Sequence, residues 1–251
     1  MSTFDTLSIT GASALSPSPV VLASGLHRTM PSQIADWIAA EIVAERFAPG
    51  QRLNEKALSE QLGISRAPLR EALRMLETRG MVTIAPQRGA RVTLLSSEEM
   101  VHLFEIRAVL VGLAAREVAR RWDARLEQSL APCLEALERT LSDPPAYAQA
   151  SSAAALQIAR ASGNPRLADM IQSFALQIGR YTRLGLSTQP RRDRSIANWR
   201  AVFAAFRAGD EAVAESLQRL LATENRDAAL RIVAERDEHA PLQARSAQRI
   251  A

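Results

Sequence analysis

The chain has 251 residues, enough for two modest domains, and 47% of them are hydrophobic, so a sizeable core is available. Aromatics are only 4% while alanine is common, which favours packed helices over sheets. A net charge of +4 excludes a polycation, and a single cysteine excludes an internal disulfide or a Cys-x-x-Cys metal framework.

No run of about eighteen apolar residues marks a membrane span. The Ser-, Thr-, Ala- and Pro-rich stretch 1–28 lacks a basic region followed by a continuous apolar one, so it reads as a disordered leader. A reducing cytoplasm suits the lone Cys133, which sits among Leu130, Leu134 and Leu137 and reads as a small core residue. Nearly all the positive charge is arginine, with Lys56 the only lysine. Arginine suits bidentate recognition of phosphate and guanine, although genome composition produces the same bias.

The first helix is expected from near Thr29, with Pro31 in its first turn and Ile34, Trp37, Ile38, Ile42 and Val43 at helical spacing. Pro49-Gly50 ends it, and a short extended piece runs from Gln51 to Leu53. A second helix fits Asn54 to Gln61 with Asn54 as N-cap. Gly63 gives a turn, and Ser65 caps a third helix reaching Thr78. Two β-like runs, Met81 to Ala85 and Ala90 to Leu94, are joined by Pro86-Gln87-Arg88-Gly89. Helix, helix, turn, helix, hairpin is the order of a winged helix-turn-helix.

Beyond Leu95 the pattern is helical only. Ser96 and Glu99 predict a capping box, and a long helix runs on to about Trp122. Further helices fit Ala124 to Leu141, Pro145 to Ala161, Pro165 to Leu184, Pro190 to Ala208 and Asp210 to Arg236. Pro132 predicts a kink or a split in the first of these. The fold class is therefore mainly α: a winged helix-turn-helix with a small β-hairpin wing at 29–95, an all-α bundle at 96–238, and a flexible tail at 239–251.

In the third helix Leu69, Leu73 and Leu76 join Leu58, Leu62 and Ile64 on an inner face, leaving Arg66, Arg70 and Arg74 outside. Arg66 and Arg70 are one turn apart near the helix start, where a recognition helix meets base edges. Arginine there reaches guanine with both arms, and the helix N-terminus favours a phosphate. Arg88-Gly89 at the hairpin tip lets the wing approach a groove or backbone closely. A single exposed arginine is ordinarily a solvated face, and Arg74 reads as no more than that; the cluster and the element order together point to DNA.

The run Leu58-Ser-Glu-Gln-Leu-Gly-Ile-Ser-Arg-Ala-Pro-Leu-Arg-Glu-Ala-Leu73, followed by Leu76, Gly80-Met-Val82, Pro86 and Arg88-Gly89, resembles the DNA-binding domain of the GntR family. The resemblance implies that Lys56, Ser65, Arg66 and Arg70 contact DNA, with Gln87, Arg88 and Gly89 in the wing. Ala67 stands where the family usually has threonine, which removes one hydroxyl from that surface. Phe104-Glu-Ile-Arg107, Ala161-Ser-Gly-Asn-Pro165 and Val202-Phe-Ala-Ala-Phe-Arg-Ala-Gly-Asp210 are similar to the FCD-type effector domain of the FadR subfamily.

Many relatives in that subfamily hold a divalent metal with an Asp-x-x-x-His pair and two later histidines. In this sequence the four positions are Ser151, Ala155, Trp199 and Leu221, so no family-type metal site and no cofactor are expected. The histidines are His27, His102 and His239. With Ala155 and Trp199 in place of ligands, a drier, reshaped cavity is expected, for an effector of acyl type or a carboxylate. Arg107 either faces that cavity and meets an anionic effector or forms a structural ion pair with Glu105 or Glu117. Tyr181 and Arg180 are weaker candidates. A cavity filled by side chains, sensing nothing, is the remaining reading.

No P-loop, Gly-x-Ser-x-Gly, dinucleotide fingerprint or His/Cys nucleophile is present, so an enzyme is not expected. The resemblance implies a cytoplasmic, homodimeric repressor or activator on a palindromic double-stranded operator, since one small module gives too few base contacts. A ligand-independent regulator with a purely dimerising helical domain is the alternative.

Overall fold

The computed structural model describes residues 29–239, with side chains given as far as 236; the leader with His27 and the tail with the His239 side chain lie outside the described residues. Among the described residues are nine helices and three short strands. They run α1 (Met30–Val43), β1 (Arg52–Leu53), α2 (Glu55–Leu62), α3 (Arg66–Thr78), β2 (Val82–Ala85), β3 (Gly89–Val92), α4 (Ser97–Arg120), α5 (Ala124–Arg139), α6 (Pro144–Ala161), α7 (Pro165–Gly185), α8 (Gln189–Ala208) and α9 (Glu211–His239).

Local chemistry sets the boundaries. The Thr29 hydroxyl accepts from the Ser32 amide at 3.4 Å and starts α1, with Pro31 in the first turn where its missing N–H costs nothing. Asn54 Oδ1 accepts from the amides of Lys56 and Ala57 and starts α2. The capping box at α4 forms: the Glu99 amide donates to Ser96 Oγ at 3.1 Å, and the Ser96 amide donates to Glu99 Oε2 at 2.8 Å. Pro132 does not split α5, which is continuous through it; the proline half-way along removes one amide without ending the helix.

The DNA-unit core joins Leu53 of β1, Leu58 of α2, Leu69, Leu73 and Leu76 of α3 and Val82 and Val92 of the wing to the inner face of α1. The sheet order is β1-β3-β2, all antiparallel, so the short strand before α2 closes one edge of the hairpin. A second core fills the helical bundle, from Val111 and Val118 of α4 through Ile158 of α6 to Trp199, Phe203 and Phe206 of α8. Cys133 lies partly buried at its edge, and burial pushes its thiol pKa up.

Helix α7 belongs to both cores: Leu176 packs on the DNA-unit core, and Leu167 and Ile171 lie in the bundle core. Between them Ile178, Tyr181 and Leu184 form a third cluster with Met100 and Phe104 of α4 and Ala229 of α9. Gly179 makes the approach to α1 possible, because a Cβ there would lie 2.9 Å from Val43 Cγ2.

Candidate nucleic-acid interface and effector cavity

The recognition surface begins at the start of α3. Ser65 is its N-cap but makes no side-chain cap bond, and it is exposed, as are Arg66, Ala67, Arg70 and Arg74. The hydroxyl and the first amides of α3 therefore present donors at the positive end of the helix dipole. Arg70 is not free: its Nε donates to Glu55 Oε2 at 2.7 Å, and this pairing raises the guanidinium pKa. Lys56, in the first turn of α2, is exposed beside that pair in sequence.

The wing tip is a tight turn. The Arg88 amide donates to the Ala85 carbonyl at 3.1 Å, with Pro86 leading and Gln87 left-handed at φ 61. Proline followed by a positive φ is the pattern of a type II turn, in which glycine is the usual third residue. Gly89 follows at φ 76, Arg88 is exposed, and the pair Ala85–Gly89 closes the hairpin.

Sequence reasoning missed two further cations. Arg52 of β1 lies directly opposite Arg91 of β3, and both are exposed. Like charges facing each other across a ladder repel unless an anion sits between or near them. The only sequence signal was a two-residue strand, too short for its pairing to be read in advance.

The second site is a cavity between helices of the bundle. It is lined by Arg107 of α4, Ser151 and Ala155 of α6, Thr182 of α7, Arg191, Ser195 and Trp199 of α8, and Gln218, Leu221 and Asn225 of α9. Residues 151 and 155, then 191, 195 and 199, recur every fourth position, so each helix turns one stripe inward. Of the expected effector residues, Arg107, Ser151, Ala155, Trp199 and Leu221 converge here.

Tyr181 does not. Its hydroxyl accepts from the Leu95 amide at 3.2 Å and from Arg180, whose guanidinium lies 4.3 Å over the ring, at the junction with the DNA unit. One step along α7 turns a side chain by about 100°, enough to move residue 181 out of the cavity that residue 182 faces. Arg180 sits at that junction too.

The cavity wall is mixed: Ser151, Thr182, Arg191, Ser195, Gln218 and Asn225 bring polar groups, and Ala155, Leu186, Trp199, Leu221 and Ala222 bring apolar ones. Among the described residues Arg107 forms no ion pair, and of its two expected placements the cavity is the one observed. Glu105 faces Arg226 at 3.7 Å, and Glu117 pairs with Arg120 and Arg116. Arg107 is buried with Nε lacking a hydrogen-bond partner, and desolvation pushes its pKa down to about 10. The cavity encloses about 20 Å³, room for about one water molecule.

The residues present do not suit a divalent metal. Ser151, Ala155, Trp199 and Leu221 offer no imidazole or carboxylate, and among the described residues no three His, Cys, Asp or Glu side chains gather as a ligand set. His102 is exposed in the groove between the wing and α4, away from this cavity.

A winged helix-turn-helix presenting arginines, joined to a helical bundle with a partly polar cavity, defines a DNA-binding transcription regulator rather than an enzyme. Residues 31–92 match the family model of bacterial regulatory proteins of the gntR family, and residues 102–223 match the FCD domain. The chain belongs to the GntR family and carries an FCD effector domain.

Among similar proteins is a probable D-xylose utilization operon transcriptional repressor of Paenarthrobacter nicotinovorans, 29% identical over 74% of this chain and 83% of that protein. The Nta operon transcriptional regulator of Aminobacter aminovorans is 40% identical, over 32% of this chain and 38% of its own length. Among solved structures, McbR/YncC of E. coli superposes with a TM-score of 0.73 at 21% identity, over 82% of this chain and 100% of that one. No helix among the described residues is long and apolar enough to cross a membrane.

Proposed function

We propose that this regulator is metabolite-responsive and homodimeric, with residues 29–95 as its DNA head and residues 96–238 as its effector-binding and dimerising unit, in the manner of the FadR subfamily. Lys56, Ser65, Arg66, Ala67 and Arg70 form the surface that enters the major groove, with Gln87, Arg88 and Gly89 in the wing. The observation that carries this reading is that α7 forms part of the wall of the cavity through Thr182 and part of the DNA-unit core through Leu176. A small molecule that reshapes the cavity therefore acts on a helix that already touches the DNA head.

Dimerisation is supported by exposed apolar residues on two helices packed against each other, Ile106 and Val109 on α4 with Val213 and Leu220 on α9. Two heads related by a two-fold axis read a palindromic operator. The setting is cytoplasmic. An effector with a long acyl chain has little support from so small a cavity, part of whose wall is polar; a carboxylate has more.

The test is selection of an operator from random duplexes, followed by binding assays with and without a metabolite panel. Operator binding that a small molecule shifts at least tenfold supports the reading. Specific binding that no compound in the panel alters would favour a ligand-independent regulator, a reading supported by the small cavity volume.

A further inference from the structure

Arg180 is only 4% exposed, at the junction between the DNA head and the bundle. Its Nη2 donates to the Tyr181 hydroxyl, and its guanidinium lies 4.3 Å over the Tyr181 ring. Its Nη1 is buried without a hydrogen-bond partner, and so is Thr93 Oγ1. Thr93 and Arg180 line one small cavity, together with the Gln177 side chain and apolar groups that include Val43, Met81 and Leu176. No residue of this cavity lines the larger one inside the bundle.

No carboxylate pairs with Arg180 among the described residues. The acids of the surrounding elements are engaged elsewhere. Glu41 pairs with Arg46, Glu45 with Arg236 and Asp36 with Arg79. Glu77 accepts from the Ile84 amide, and Glu99 from the Ser96 amide. Asp169, on the same helix, is exposed and about three turns away, roughly 16 Å along the axis.

A buried cation without a counter-charge is costly, and a buried donor without an acceptor adds to the cost. The Tyr181 ring offsets part of the charge from one face of the guanidinium, but it offers no acceptor to the in-plane N–H groups of Nη1. The cavity holds about 10 Å³, room for one water-sized particle. That size excludes carboxylates, phosphate and sulfate. Water would accept from Nη1 and leave the charge unbalanced, whereas a monatomic anion answers both. The apolar part of the wall also suits a weakly hydrated halide.

We infer that this cavity is a chloride site, in which the ion accepts from Arg180 Nη1 and the Thr93 hydroxyl with the Gln177 amide alongside. The ion touches both units at once. Thr93 directly follows β3 of the wing, and Arg180 belongs to α7. Chloride therefore pins the DNA head against the bundle, independently of any molecule in the bundle cavity.

The test uses the full chain, dialysed free of halide into sodium isethionate. Chloride or bromide then replaces isethionate at constant ionic strength while the melting temperature is followed. Either halide raises it along a saturating curve, by about 3 °C or more at tenfold excess over Kd. Thr93→Val weakens the apparent Kd by about fivefold or more, since one hydrogen bond to the ion is lost. Arg180→Met removes the shift, and Arg107→Met, in the bundle cavity, keeps it. In crystals soaked with bromide, an anomalous peak lies within hydrogen-bonding range of Arg180 Nη1 and Thr93 Oγ1. That peak decides the matter if Arg180→Met does not fold.

Three results overturn the inference. One is a melting temperature that does not distinguish halide from isethionate. Another is a saturating shift that survives Arg180→Met or disappears in Arg107→Met. The third is a bromide-soaked crystal with water, and no anomalous peak, between Thr93 and Arg180.

Discussion

Glu55 and Arg70 meet across the helix-turn-helix, with Arg70 Nε 2.7 Å from Glu55 Oε2, so the first turn of α2 holds an arginine of the recognition helix. The Arg70 side chain is 62% exposed, so solvent screens the pair and its effect on folding is small. A larger effect on DNA binding is expected, because on the proposed interface phosphate competes with Glu55 for the same guanidinium. Glu55→Gln should tighten binding to non-operator DNA several-fold at low salt and steepen the salt dependence, with the melting temperature almost unmoved. Fluorescence anisotropy across a salt series reads this; an unchanged slope would mean that Arg70 does not reach the backbone.

Arg66 has no comparable tether among the hydrogen bonds and ion pairs of the described residues. Arg66→Ala should weaken operator binding by about 1–3 kcal/mol, roughly tenfold to more than a hundredfold in Kd, and relax the preference at one base pair. Repeating operator selection with the variant checks the second part. Equal affinity and an unchanged consensus would remove Arg66 from the interface.

Gln87 sits at φ 61 in the wing turn. A side chain there costs about 1 kcal/mol, partly offset because glycine loses more backbone entropy on folding. Gln87→Gly should leave stability equal or slightly higher, whereas the β-branched Gln87→Val should lose about 1–2 kcal/mol. Melting temperatures in the order glycine, glutamine, valine verify the turn geometry. A valine variant as stable as the wild type would contradict it.

The capping box makes a pH prediction. The Ser96 amide, then its hydroxyl, hold the Glu99 carboxyl below its usual pKa. A depressed carboxylate contributes stability that is present above the unfolded value, near 4.3, and disappears as pH falls through the lower folded value. Ser96→Ala should cost about 1 kcal/mol at pH 7 and less as the pH drops below 4. Urea melts at pH 7 and pH 3.5 measure both; a penalty that grows on acidification would reverse the sign and refute the assignment.

Tyr181 ties the segment before α4 to α7, through the Leu95 amide donating to its hydroxyl. Tyr181→Phe leaves that amide without its acceptor and should cost about 1–3 kcal/mol. More telling is function: effector should still bind, by calorimetry, while its effect on operator binding shrinks. If ligand affinity fell and the operator response per bound ligand stayed the same, Tyr181 would belong to the cavity after all.

Much of the DNA unit was legible in sequence because short-range rules fix it. Asn54 caps α2, Gly63 at φ 65 turns the chain, and Leu69, Leu73 and Leu76 face inward as their spacing requires. The helical unit was legible in outline only. Nothing in the local pattern singled out Arg191 and Arg192, yet both are buried. Arg192 is satisfied by the carbonyls of Leu141, Leu186 and Ser187, groups far apart in sequence or in loops, which no local pattern reveals. The polar part of the cavity wall was missed for the same reason. Ala155 and Trp199 suggested a drier interior, but polar groups also come from Arg191, Gln218 and Asn225, residues whose inward direction depends on how α8 and α9 pack.

Arg180, Tyr181 and Thr182 are consecutive in α7 and point three ways: toward the wing side of the junction, toward Leu95, and into the cavity. Each side chain can change rotamer alone, but a roll of α7 about its long axis would carry all three together: a few degrees at Thr182 would also shift the Tyr181 hydroxyl that holds the Leu95 amide, in the segment that follows the wing.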